Sequence, residues 1–139
     1  MRIIRLPLLF IIVVISISAQ TGPQVTTLQG QCEYGSRYAP LMRQGGNAFA
    51  ICTSVTIVRS GAQSQIIFQD SNRDIRVSYE GALSGNKMTV RHFRVSSNPL
   101  EKAEGSCEIY WSNRSISTVA CVARAGPTTH AANFVPRRW

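Results

Sequence analysis

The chain is short of the residues from which most catalytic and metal centres are assembled. It has two histidines, His92 and His130, and two aspartates, Asp70 and Asp74, which fall together in one turn-like stretch. A serine hydrolase needs a nucleophile, a histidine base and an orienting acid, and this inventory leaves few ways to supply them. Gly-x-Ser-x-Gly, His-Glu-x-x-His, a Walker-type glycine loop and Cys-x-x-Cys are all missing, so no cofactor or metal is expected. Glu80 and Glu108 could do glycosidase work only by facing one cleft, and their spacing gives no reason to place them there. Lysine is scarce too: Lys87 and Lys102 are the only two, so almost all of the positive charge is guanidinium.

Long apolar runs are also missing, with one exception. Residues 6–15 are apolar throughout apart from the tolerated Pro7, behind Arg2 and Arg5 and ahead of the small residues Ser16, Ser18 and Ala19. A cationic start, a short apolar centre and a small-residue end describe a secretory signal peptide. Cleavage is expected after Ala19, with Ser18 as the alternative. An uncleaved membrane anchor is the competing reading, but a span needs about 20 apolar residues. No cysteine stands near the cut to carry a lipid. The expected organisation is a leader over 1–19, a flexible lead-in over 20–30, a single β-domain over 31–135 and a tail over 136–139, with no transmembrane span in the mature form. The compartment expected is periplasmic or extracellular.

The four cysteines, Cys32, Cys52, Cys107 and Cys121, all lie beyond the leader. An even number in an exported chain argues for two bridges, and four cysteines permit three pairings. The stretch 105–124 favours one of them. Two alternating runs flank a polar break at Asn113-Arg114-Ser115, and each carries one cysteine. Placing Cys107 opposite Cys121 sets Ile109 against Val119 and Trp111 against Ser117, with Ser112 and Ile116 closing a three-residue loop. Opposite Cα atoms in such a pair are about 4.5 or 5.5 Å apart, which suits a disulfide. Cys32 is then left for Cys52.

Elsewhere, period-2 alternation predicts further strands. Residues 33–38 read as a short strand and 40–47 as a loop. Residues 48–58 read as one strand with Phe49, Ile51, Val55 and Ile57 on one face and Cys52 on the other. The bridge to Cys32 then lies outside the core face unless a bulge intervenes. Residues 64–69 and 74–83 form a hairpin in which Phe68 faces Ile75 and Ile66 faces Val77. Gly85-Asn86 makes a two-residue turn with Leu83 opposite Met88 and Tyr79 opposite His92. Along 87–95 the apolar phase changes between Val90 and Phe93, which a bulge at Arg91-His92 would repair. Residues 100–104 read as a connection with room for one helical turn, and 130–135 as a last edge strand. The fold expected is all-β: a small antiparallel β-sandwich or barrel of about seven strands, stabilised by disulfides.

Without Arg2 and Arg5, thirteen basic residues face seven acidic ones. Arginine suits bidentate capture of phosphates and carboxylates, so an anionic envelope polymer or lipid is a fitting partner, with another protein as the alternative. The arginines are scattered, which argues against nucleic acid. The function expected is a non-catalytic exported binding or interaction module. Its discriminating feature would be Arg76, Arg91 and Arg94 converging on one surface. The alternative is a small-ligand carrier or hydrolytic enzyme with a pocket near Tyr79 and His92. Inhibition of a secreted enzyme is a subsidiary reading, disfavoured for a basic target because like charges slow encounter. Asn113-Arg114-Ser115 matches a glycosylation sequon, which matters only in a host with that machinery. Trp139, after Arg137 and Arg138, is read as a cover for a sheet edge.

Overall fold

The computed structural model describes residues 22–138. The leader with its cleavage point, and the reading of Trp139, lie outside the described residues. Nine strands are present among them: β1 (Gln24–Cys32), β2 (Asn47–Phe49), β3 (Ser54–Arg59), β4 (Ser64–Gln69), β5 (Ile75–Ser84), β6 (Lys87–Val95), β7 (Glu101–Ser112), β8 (Ser115–Ala125) and β9 (Thr128–Pro136). Eight of them run antiparallel in the order β1-β3-β4-β5-β6-β7-β8-β9, and β1 pairs with β9 to close a barrel. Strand β2 lies parallel to the start of β9, alongside Thr129, His130 and Ala131. Closure removes the free edges that an open sheet of these strands would expose. The sequence-based expectation of a sandwich or barrel thus resolves to a barrel, with more strands than expected.

Inward alternation fills the barrel. Val55, Ile57, Ile66, Phe68, Tyr79, Met88, Phe93, Ile109, Val119 and Phe134 are all buried, and an eight-stranded barrel has an interior that such side chains can fill. Both disulfides expected from the sequence are present, Cys32–Cys52 and Cys107–Cys121, and both reach into this core. Cys107 is opposite Cys121 and Ile109 opposite Val119, as the hairpin reading requires.

The tip of that hairpin differs. A register shift at Tyr110/Trp111 leaves Ser117 unmatched, Trp111 sits opposite Ile116, and Ser112 closes on Ser115. The loop is therefore the two residues Asn113 and Arg114, both at positive φ (50° and 65°). That backbone matches the right-handed strand twist better than a wider loop, and one bulge absorbs the extra residue.

The meander β4-β5-β6 forms with its registers adjusted. Phe68 faces Val77 and Ile66 faces Tyr79, two residues on from the expected pairing, so the same faces remain inward. The cause is double: the connection 70–74, where the Asp70 carboxylate accepts from the amides of Asn72 and Asp74, moves the closing pair to Gln69 with Ile75, and a bulge that leaves Arg76 unmatched adds the second residue. Leu83 faces Met88 as expected across Gly85-Asn86, with Gly85 at φ 60°. A bulge does occur on β6: Val90 pairs with Gly81 and His92 with Glu80, leaving Arg91 unmatched. Tyr79 consequently faces Phe93, not His92. Val90 also faces Gly105 of β7, and a Cβ at either glycine would lie within about 2 Å of a neighbouring carbonyl oxygen. Gly81 thereby gives the bulged strand room, whereas Gly105 lets β7 close on β8, where a Cβ would meet the Val122 carbonyl.

The largest departures lie in the first third of the described chain. Residues 24–30 of the expected flexible lead-in form, with Gln31 and Cys32, the barrel strand β1, because the last three residues of β9 need a partner and Gly30 lets the two backbones meet. Residues 33–38 are not a strand; they lead into a helical turn over 36–38 and the one-turn helix Ala39–Met42. The strand expected over 48–58 is two, β2 and β3, separated by 50–53. The break turns Ile51 outward, 76% exposed, and Cys52 inward, 2% exposed, which places its bridge in the core. Residues 101–104 belong to β7, and β9 is a closing strand, not an edge.

Candidate functional site

The bulge on β6 decides the shape of the outer wall. Between the pairs Val90–Gly105 and His92–Lys102, β6 contributes one residue and β7 two, Ala103 and Glu104. The strands splay there and leave a cleft of about 680 Å³ bordered by Arg91, His92, Lys102, Glu104 and Arg124. A second hollow of about 350 Å³ on the other side shares Arg91 and His92 and adds Gln63, Gln65 and Glu80. Arg91 and His92 are therefore a ridge between two depressions, and a bulge is a common way to aim side chains at a surface.

Three permanent cations surround the larger cleft, against one carboxylate, Glu104. Arg124 lies opposite Glu104 in the β7–β8 ladder, and its Nε donates to the Gly126 carbonyl at 3.0 Å, tying the guanidinium to the β8–β9 turn. Among the described residues, none of Arg91, Lys102 and Arg124 is ion-paired; the ion pair present is Arg76 with Asp70, at 3.7 Å. Glu80 is engaged by the side-chain amide of Gln65. Cations left without a protein carboxylate keep their field for an outside anion.

The five residues singled out from the sequence separate. Arg91 and His92 form the ridge. Arg94 continues it along β6, half-buried opposite Ser78, with its Nε buried and unpartnered. Arg76, on β5 beside Ser96, is held by Asp70 at the barrel mouth. Tyr79 is fully buried inside the barrel, where its hydroxyl donates to the His130 carbonyl at 3.1 Å and burial drives its pKa strongly upward. Tyr79 and His92 thus lie on opposite sides of the wall and share no pocket. Glu80 and Glu108 border different hollows. Lys102 and Arg124 were not singled out; only the β6-β7-β8 pairing brings them to the bulge.

Two other places carry chemistry. At the barrel mouth His130 stacks on Phe93, ring centroids 4.7 Å apart, and burial lowers its pKa while Glu101 opposes the shift. On the outer face of β7-β8-β9, a groove of about 380 Å³ runs beneath the 36–42 segment and is lined by Tyr34, Tyr38, Leu41, Phe49, Tyr110 and Val122 among others. The exposed Leu41, Tyr110 and Val122 meet there, a convergence that no linear spacing announces.

Comparison with models of known protein families, with curated proteins and with solved structures gave no match to this chain. Among the described residues no group of His, Cys, Asp and Glu is arranged to hold a metal ion, and no helix is long and apolar enough to cross a membrane. The two disulfides are compatible with an exported protein.

Proposed function

We propose that this protein is an exported, non-catalytic binding domain, periplasmic or secreted, that captures an anionic partner on the outer wall of its barrel. The cleft at the β6 bulge supports this reading: Arg91, Lys102 and Arg124 border it without a bound carboxylate, and His92 and Arg94 extend the surface. Arginine presents a planar fork that matches phosphate and carboxylate oxygens. A phosphate- or carboxylate-bearing polymer of the cell envelope has the repeating charge that such an open surface can engage. The apolar leader-like run and the paired cysteines support export.

The experiment is a titration of the oxidised mature chain with polyphosphate and with polygalacturonate, at low and high salt. Binding is expected at low salt and should weaken as salt rises, because exposed charges are screened over about 10 Å at 0.1 M. The triple variant Arg91→Ala, Lys102→Ala, Arg124→Ala is expected to lose about tenfold or more in affinity with its fold intact. Equal binding by the triple variant, or no binding to either polymer at low salt, would overturn the reading.

A further inference from the structure

The groove beneath the 36–42 segment differs from the basic cleft in every chemical respect, and we propose that it is a separate binding site for an extended peptide segment of a partner protein, one that presents an arginine between apolar side chains. Leu41, Tyr110 and Val122 line it and are 43%, 45% and 46% exposed, three apolar side chains left open on one groove. In a chain of formal net charge +8, the one charged side chain among the described residues that line the groove is acidic, Glu108.

Beside the hydroxyls of Tyr38, Ser106 and Thr129, the groove offers a set of open acceptors. Tyr110 donates its hydroxyl proton to Glu108 Oε2 at 2.9 Å. Asn47 and Asn133 each turn Nδ2 onto a backbone carbonyl, of Leu41 at 3.2 Å and of Glu33 at 2.9 Å. Glu108 Oε1 and the Oδ1 atoms of both asparagines have no donor among the described residues. A site rich in acceptors and aromatic faces takes a group that carries many donors and a positive charge and is flat enough to stack, which describes a guanidinium. The rim already holds one such contact: the Arg37 guanidinium lies 4.9 Å from the centroid of the Tyr38 ring. The volume, about 380 Å³, lies within the range of small-ligand pockets and holds more than one side chain. That leaves the apolar wall of Leu41, Phe49 and Val122 for the neighbours of the arginine.

Backbone-amide NMR of the oxidised mature chain tests this, with the capped peptide Gly-Leu-Arg-Leu-Gly as probe and its citrulline counterpart as an isostere of nearly the same shape without the charge. Saturable shifts are expected at Tyr110, Val122 and Asn133 with the arginine peptide, and about tenfold weaker binding with citrulline. Glu108→Gln is expected to weaken the arginine peptide by about five- to tenfold while the rest of the spectrum stays in place. Tyr38→Ala, on an exposed turn, provides a second variant and is expected to weaken it as well. Equal responses to the two peptides, no effect of either substitution, or saturable shifts at these amides with cellohexaose but not with the arginine peptide would overturn the proposal. Arg124 pairs with Thr129 at the border of the groove, whereas Arg91 and Lys102 border the basic cleft and not the groove, so Arg91→Ala/Lys102→Ala should bind the peptide normally and the two readings fail independently.

Discussion

On β5 to β8, neighbouring residues face two very different environments. The inward positions carry Val77, Tyr79, Val90, Phe93, Cys107 and Ile109, all buried; the outward ones carry Arg76, Glu80, His92, Arg94, Lys102 and Arg124. Inside, contacts are dense and the polar groups are paired, as with the Tyr79 hydroxyl on the His130 carbonyl. Outside, Arg91, Lys102 and Arg124 at the bulge have no ion-pair partner among the described residues. Stability is therefore expected to reside in the inner surface and recognition in the outer one, with little exchange between them. The bulge at Arg91 is where they touch, since it keeps Phe93 inward while turning Arg91 and His92 to solvent.

The hardest way to break this contrast is from inside. Phe68→Ala empties a site that is 0% exposed and is expected to cost about 3–5 kcal/mol, read as a lower urea midpoint at an unchanged slope. Loss of either bridge should come next, at about 3 kcal/mol by the chain-entropy model. The two bridges span 20 and 14 positions, and closure entropy grows only slowly with loop length, so Cys32→Ser/Cys52→Ser and Cys107→Ser/Cys121→Ser should destabilise nearly alike. A large inequality in melting temperature would locate a difference in local packing. Tyr79→Phe removes the donor to the His130 carbonyl and is expected to cost about 0.5–1.5 kcal/mol, the net worth of one hydrogen bond.

The effect of pH sharpens the same contrast through the groups that burial shifts; the exposed Tyr110 is raised instead by its hydrogen bond to Glu108. Burial pushes the Tyr34 hydroxyl up to about 12, and Tyr79 shifts the same way. Between about 10 and 12 the folded chain keeps protons that the unfolded chain releases, so this stability is full below pH 10 and is lost as pH rises through the window. His130 moves the other way: its contribution is present above about 6.5 and is lost as pH falls toward its lowered folded value. Thermal melts across both windows should show both declines, and His130→Asn should flatten the acidic one. The smallest stability effect is expected outside: Arg91→Ala and Lys102→Ala should each shift stability by no more than about 0.5 kcal/mol, whatever they do to polyanion binding. If either melts the barrel, the division between the two surfaces is wrong.

Much of the barrel was legible because hairpins are local. Cys107 opposite Cys121, Leu83 opposite Met88 and the phase change on β6 each follow from alternation and a turn within a few residues. The registers that slipped did so at bulges, which alternation does not place, and at the 70–74 turn, where the Asp70 carboxylate sets the closing pair. The first third was not legible. Gln24–Cys32 has the composition of a loose segment and becomes a strand only because β3 and β9 lie on either side of it. The site was half legible: Arg91, His92 and Arg94 stood out in the sequence, whereas Lys102 and Arg124 arrive from other strands.

By itself the sequence determined the all-β class, the central hairpins and an excess of guanidinium, and it favoured both sulfur pairings among the three possible, because alternation, turn chemistry and cysteine parity act over short stretches of chain. Closure of the sheet, the inward turn of Cys52, the cleft at the bulge and the tyrosine-lined groove were decided only in three dimensions. Each depends on residues far apart in the chain, and no local preference specifies which of them meet.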